Sequence, residues 1–291
     1  HALQSHFYLA QLQFKDNKKE ESISHYKFVL TKERNEFTEQ SLAQLSQIYL
    51  EKSNYKDAIP VLKRLETEAD FPQNIVFAQS NLMKSYYQQD NYEQAVSYAE
   101  NVLANSSIDT KVKNDAHIII ARSAMKTGDE AKAKTAYATV QKTATGKLAA
   151  EALYYDAYFK NKAGNYKASN ESVQTLAKEY SGYKEYSVKS LLVMAKNFYA
   201  LEDAYQATYI LENIINNFTD YPTVVDEAKA ELIKIKTEEA KEKLRIDVGV
   251  EDKKTLIDKN IQTLIDSGTI KLPVREDDPR FDDWIPFNQP T

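Results

Sequence analysis

The chain has no cysteine and only six glycines among 291 residues. Without thiols it forms no disulfide and no thiolate metal site, which suits a reducing or an oxidising compartment equally. So few glycines argue against phosphate-cradling loops and against a sheet-rich fold, whose tight turns need positive φ. No P-loop, dinucleotide fingerprint or G-x-S-x-G elbow occurs. Histidine is confined to His1, His6, His25 and His117, and no pair has the spacing of a zinc site on one helix. His117 opens the first helix of a repeat and reads as packed or solvated rather than as a ligand. No apolar run approaches the ~18 residues that would suggest a membrane span. The net charge of −5 gives no global basic surface for nucleic acid. The acidic doublets at 277 and 282 lack the regular oxygen spacing of a calcium loop. The carboxylates elsewhere read as solvated helix faces. The expectation is a non-enzyme with no catalytic residue, no metal and no cofactor.

What the chain does have is a globular composition, 42% hydrophobic and 28% charged, and an internal repeat. "SNYKDAIPVLKRL" at 53–65, "DNYEQAVSYAENVL" at 90–103 and "GNYKASNESVQTL" at 164–176 open alike. Aligned on a small residue, six copies place Ser22, Ala58, Ala95, Ala133, Ser169 and Ala207 in register, 36, 37, 38, 36 and 38 residues apart. Five residues earlier stand Asn17, Ser53, Asp90, Gly128, Gly164 and Glu202, of which all but the last suit a turn or a left-handed helix end. Twelve residues earlier stand Ala10, Ser46, Met83, Ala121, Ala157 and Ala195, small in five of six copies. Tyr55, Tyr92 and Tyr166 lie three before the anchor in half of them. Two small residues facing each other let antiparallel helices approach closely, with an aromatic filling the space beside them. Breaks at "DFPQN", "NSSIDT", "TATG", "YSGY" and "FTDYP" separate the units. Each unit is then a helical hairpin too small to bury its own apolar face, and stacking buries it.

At these positions the chain resembles the tetratricopeptide repeat family, over about residues 3–218, with a period slightly above that family's usual ~34. The resemblance implies an all-α, right-handed superhelical solenoid of about six hairpins, 1–220. A capping helix follows at 221–246, where Val225, Ala228, Leu232, Ile235 and Ala240 form a stripe. Residues 247–291 are expected to be a short helix, 252–268, and an extended acidic tail broken by Pro273, Pro279, Pro286 and Pro290. From 246 to 291 the net charge is −4, leaving −1 for the rest. An acidic, proline-broken tail is usually disordered. Against that stand Phe281, Trp284, Ile285 and Phe287, candidate anchors for docking on a partner or, second, on the chain's own last helices.

In the family the first helices line a concave groove. Carried over, that groove comprises Phe77, Lys84 and Tyr87, then Ile118, Arg122 and Met125, then Tyr154, Tyr158 and Asn161, then Leu192, Lys196 and Tyr199. Aromatics among Lys and Arg suit the capture of an extended peptide or a neighbouring protein, although in a chain with 20 tyrosines several could simply pack. The carboxylate clamp of chaperone-tail-binding members is not expected, because Gln47, Lys84, Arg122 and Tyr158 supply no asparagine in register. "IINNFTDYPTVVDEAKAEL" is similar to repeat ends of bacterial envelope proteins, the outer-membrane assembly lipoproteins and the Tol–Pal coordinator among them. The implied role is a protein–protein interaction scaffold on the periplasmic side of an outer membrane, in membrane-protein assembly or secretion, with other envelope proteins as partners. The alternatives are a peptide-capture module, a cytoplasmic location and a catalytic domain lying before residue 1. The opening "HALQSHFYLAQLQF" has no initiator methionine, basic region or helix cap and reads as mid-helix, so a fragment or processed product of a longer parent is expected, and any signal or lipid anchor would lie upstream.

Overall fold

One backbone event closes every hairpin. In the computed structural model, which describes residues 1–247 and their side chains to 242, the helices pair in order. They are α1 (Ala2–Lys15) with α2 (Lys19–Leu30), α3 (Thr38–Glu51) with α4 (Tyr55–Glu68), and α5 (Pro72–Gln88) with α6 (Tyr92–Ala104). Then come α7 (Thr110–Thr127) with α8 (Glu130–Gln141), α9 (Gly146–Lys162) with α10 (Tyr166–Glu179), and α11 (Lys184–Ala200) with α12 (Ala204–Asn217). A longer helix, α13 (Pro222–Asp247), follows.

At each turn one residue takes positive φ: Asn17 59°, Ser53 56°, Asp90 57°, Gly128 81°, Gly164 76° and Glu202 66°. The next amide then donates back to the carbonyl five residues earlier. Lys18 N–H reaches Gln13 at 2.8 Å, and the amides of Asn54, Asn91, Asp129, Asn165 and Asp203 reach Tyr49, Tyr86, Ala124, Lys160 and Phe198 at 2.9 Å. This is the left-handed helix stop that satisfies carbonyls orphaned at a C-terminus. The sequence pattern set Glu202 apart from the other five, yet it adopts the same conformation. The residue after the stop also starts the second helix. Asn54, Asn91, Asp129 and Asp203 accept from the amides of Asp57, Gln94, Lys132 and Gln206, which is N-capping by the residue types that do it best.

Beyond the turn the helices meet at the small residues. Ser22, Ala58, Ala95, Ala133, Ser169 and Ala207 are fully buried, and so are Ala10, Ser46, Met83, Ala121 and Ala157, with Ala195 at 1%. Where the contact residue is serine, its hydroxyl is satisfied: Ser169 donates across the contact to the Ala157 carbonyl at 2.7 Å, and Ser22 back along its own helix to Lys19 at 2.6 Å. Tyr55, Tyr92 and Tyr166 are only half-buried. They flank the contact rather than fill it.

The described chain divides into two compact units, residues 1–144 and residues from 145 onward. The first stacks four hairpins around apolar side chains such as Leu42, Leu45, Leu62, Leu82 and Tyr137. The second stacks two hairpins and α13, whose Val225, Ala228, Leu232 and Ile235 enter the core with Ile210, Leu211 and Ile214; Ala240 is half-buried. No strand occurs among the described residues, so the all-α repeat solenoid expected from the sequence is the architecture found. The expected helix at 252–268 and the anchors Phe281, Trp284, Ile285 and Phe287 lie outside the described residues.

Candidate functional site

The groove positions sort into three kinds of environment. Ile118 and Leu192 are 3% and 6% exposed and belong to the core. This corrects their assignment to a binding surface, because a first helix packed on both sides turns those positions inward. Tyr154 is half-buried and packs inward as well. Its ring lies against both apolar clusters of the second unit and edge-on to Tyr155 at 4.9 Å. Burial, aided by the neighbouring Tyr155 and Glu227, raises its phenol well above the usual tyrosine range.

The lysines form a second kind. In the first unit, Lys84 of α5 meets the Asp115 carboxylate of α7 at 2.6 Å. In the second, Lys196 of α11 faces Glu231 of α13 at 3.6 Å. Each pair links a first helix to the helix two further along the chain. Both are partly solvated, so neither contributes much stability, but each makes a locally neutral stretch where a cationic one was expected. Among the other positions compared for a carboxylate clamp, Gln47 donates to Glu51 at 3.1 Å. The clamp, already unexpected, has no geometric support here.

The third kind remains accessible. Phe77, Tyr87, Arg122, Met125, Tyr158, Asn161 and Tyr199 are half-buried. Tyr87 leans on Tyr92 across its hairpin turn at 5.7 Å. On α9, Tyr158 stands edge-on to Phe159 and Tyr155, with the Lys162 ammonium 5.3 Å from its ring centre. One turn from Tyr158, Asn161 donates its amide to Asn197 at 2.7 Å. Asn197 is fully buried and donates in turn to Ser169 and Asn170 at 2.8 and 2.7 Å. A satisfied buried network of this kind holds the Asn161 amide in one orientation. Nearby, Ser172, Lys160 and Asp156 are mutually hydrogen-bonded within 2.5–2.8 Å. The lysine and the carboxylate bond to each other as well as to the serine, which suits a structural tie rather than an activated serine.

Pattern reading missed Asp115, Glu231, Asn197 and the meeting of His6 with His25, whose Nδ1 atoms are 2.7 Å apart. The acidic partners stand about one repeat after their lysines, a signal that was present. Among the described residues no group of three His, Cys, Asp or Glu converges on a possible metal, and no helix is long and apolar enough to cross a membrane.

Set beside solved structures, the chain is similar to a tetratricopeptide repeat protein from Parabacteroides merdae, with a TM-score of 0.55. The fold is that of a tetratricopeptide repeat. That likeness covers 78% of this chain and 86% of the other at 18% identity. Weaker likenesses reach the P58(IPK) tetratricopeptide domain, TM-score 0.33 at 14% identity over 92% of this chain and 80% of that one, and Naa15/Naa10 bound to HypK-THB. For the latter the TM-score is 0.45 at 18% identity, covering 92% of this chain and 43% of that one. No protein-family model matches the sequence, and no curated protein does. In tetratricopeptide terms, Tyr158, Asn161 and Lys162 share the exposed side of a repeat's first helix.

Proposed function

We propose that this chain is a non-enzymatic protein-interaction scaffold that holds partner segments on the first-helix faces of its repeats. The observation that carries the reading is the α9 cluster of Tyr158, Lys162 and Asn161, with the asparagine oriented by a buried network. An aromatic face gives contact area at low entropic cost. A fixed amide offers a donor and an acceptor to a peptide backbone, and a lysine beside the ring favours an acidic segment. The repeat fold supports it, since stacked hairpins present long surfaces for other proteins.

Partners would be recovered by crosslinking mass spectrometry in the native host, and the interaction then measured with Tyr158→Ala. Affinity should fall about tenfold, since an interface tyrosine is commonly worth roughly 1–2 kcal/mol, while Tyr154→Phe should leave it unchanged. Unaltered binding by a folded Tyr158→Ala protein would remove the α9 face from the site. The tail anchors Phe281, Trp284, Ile285 and Phe287 are proposed as a second contact surface.

For location, the similarity of the 214–232 stretch to envelope proteins supports the periplasmic side of an outer membrane, with a role in membrane-protein assembly or secretion. Fractionation of the native host tests this, and recovery in the cytoplasm would overturn it. If partners bind with micromolar, salt-sensitive affinity to short peptides alone, transient peptide capture is the better description than scaffolding.

A further inference from the structure

The first hairpin brings two histidines face to face. His6 lies on α1, one turn before Ala10; His25 lies on α2, three residues after Ser22. Ala10 and Ser22 are fully buried and set the two helix axes close together. The antiparallel turn at residues 16–18 then mirrors positions on either side of it, so His6 comes opposite His25. Their Nδ1 atoms are 2.7 Å apart, and the ring centres 4.9 Å. The His6 ring is braced by Phe28, stacked at 3.9 Å and 22°. Neither imidazole makes another hydrogen bond among the described residues.

Two nitrogens this close need something between them. With a proton, one Nδ1 must donate and the other must accept. We propose that the pair is also a binding site for a late first-row divalent cation such as zinc, nickel or copper(II), which displaces the shared proton and clips α1 to α2.

The geometry is near what such an ion needs. Two metal–nitrogen bonds of about 2.0–2.1 Å at a tetrahedral angle place their nitrogens about 3.3 Å apart. The rings would have to separate by a few tenths of an ångström, which small side-chain rotations supply. Imidazole nitrogen is a good ligand for these ions and a poor one for magnesium or calcium. No third histidine or carboxylate joins the pair among the described residues, so water or a partner's side chain would complete the coordination. Affinity should therefore be micromolar, well short of that of a four-ligand structural zinc site.

Zinc is the probe of choice, because a diamagnetic ion leaves the imidazole resonances observable. The titration uses the full chain near neutral pH, with His1→Ala as the parent so that no other imidazole of the first hairpin contributes. One equivalent of zinc should bind, move the imidazole nitrogen resonances of both His6 and His25, and raise the melting temperature until EDTA is added. Loss of an outer-shell partner alone costs about 10–100-fold in metal affinity. His25→Gln and His6→Gln should each weaken zinc binding at least that far, while circular dichroism shows the helices intact. Either of two results overturns the proposal. One is that both imidazoles stay unshifted at millimolar zinc in the unsubstituted pair. The other is that folded His25→Gln binds zinc as tightly as its parent. The resonance measurement needs neither pair variant, so it decides the matter even if a substitution unfolds the hairpin.

Discussion

Glu202 holds a left-handed conformation, φ 66°, that the equivalent positions assign to glycine, asparagine, aspartate or serine. For an ordinary side chain that conformation costs about 1–2 kcal/mol, and part of this is recovered when Cβ is removed. Glu202→Gly should stabilise the second unit by roughly 0.5–1 kcal/mol, after allowing for glycine's greater unfolded entropy. Urea unfolding measures it, and a destabilised variant would show that the glutamate side chain does something the turn needs. Tyr154 makes a second test at the same scale. Its phenol is raised by burial, so the folded state keeps its proton where the unfolded chain loses it. The resulting stability is fully present below the unfolded value near pH 10 and is lost as pH rises from there toward the folded value. Tyr154→Phe should therefore move alkaline unfolding, followed by circular dichroism above pH 9, to higher pH. It should leave neutral stability nearly unchanged. No shift in the alkaline transition would place the ring's hydroxyl in water.

At the scale of helices, the small-residue register decides the packing, and it was legible in the sequence. Ala95 and Ala133 were aligned by spacing alone, and both are fully buried. Ala95→Trp or Ala133→Trp should destabilise by several kcal/mol, because overpacking a close helix contact costs about 1–3 kcal/mol and sometimes more. A variant melting like the parent would show that the contact can open without loss. The candidate site was less legible. Periodicity assigns a residue to a helix face, but a first helix has neighbours on both sides. Ile118 and Leu192 sit where a groove position and an inter-helix position merge, and packing claims them. Lys84 and Lys196 are on the expected face, yet their partners Asp115 and Glu231 lie on the helix two further along the chain. A scan along one helix cannot see such a pair. The same blindness hid His6 and His25, which are adjacent only when the chain is folded back about its turn.

At the scale of the molecule, two compact repeat units are joined in sequence at residues 144 and 145, and the acidic tail follows α13. Deleting residues 270–291 should leave thermal unfolding of the repeats unchanged and abolish one specific association. A lowered melting temperature would mean instead that the tail packs on the repeats. The hairpin turns carry a consequence for how such a chain can change its length. Five of them contain three residues and the fourth contains two, whereas the segments between hairpins run from three residues at 69–71 to seven at 31–37. One residue inserted beside Ser53 would rotate α4 by about 100° relative to α3. Ala58 would leave the contact, and a charged neighbour would take its place. Two residues inserted at 106, between hairpins, would disturb no such phase relation and should be borne with little loss of stability. Insertions and deletions in related chains should then gather between hairpins and spare the turns, making each turn a fixed gear tooth and each linker the slack between gears.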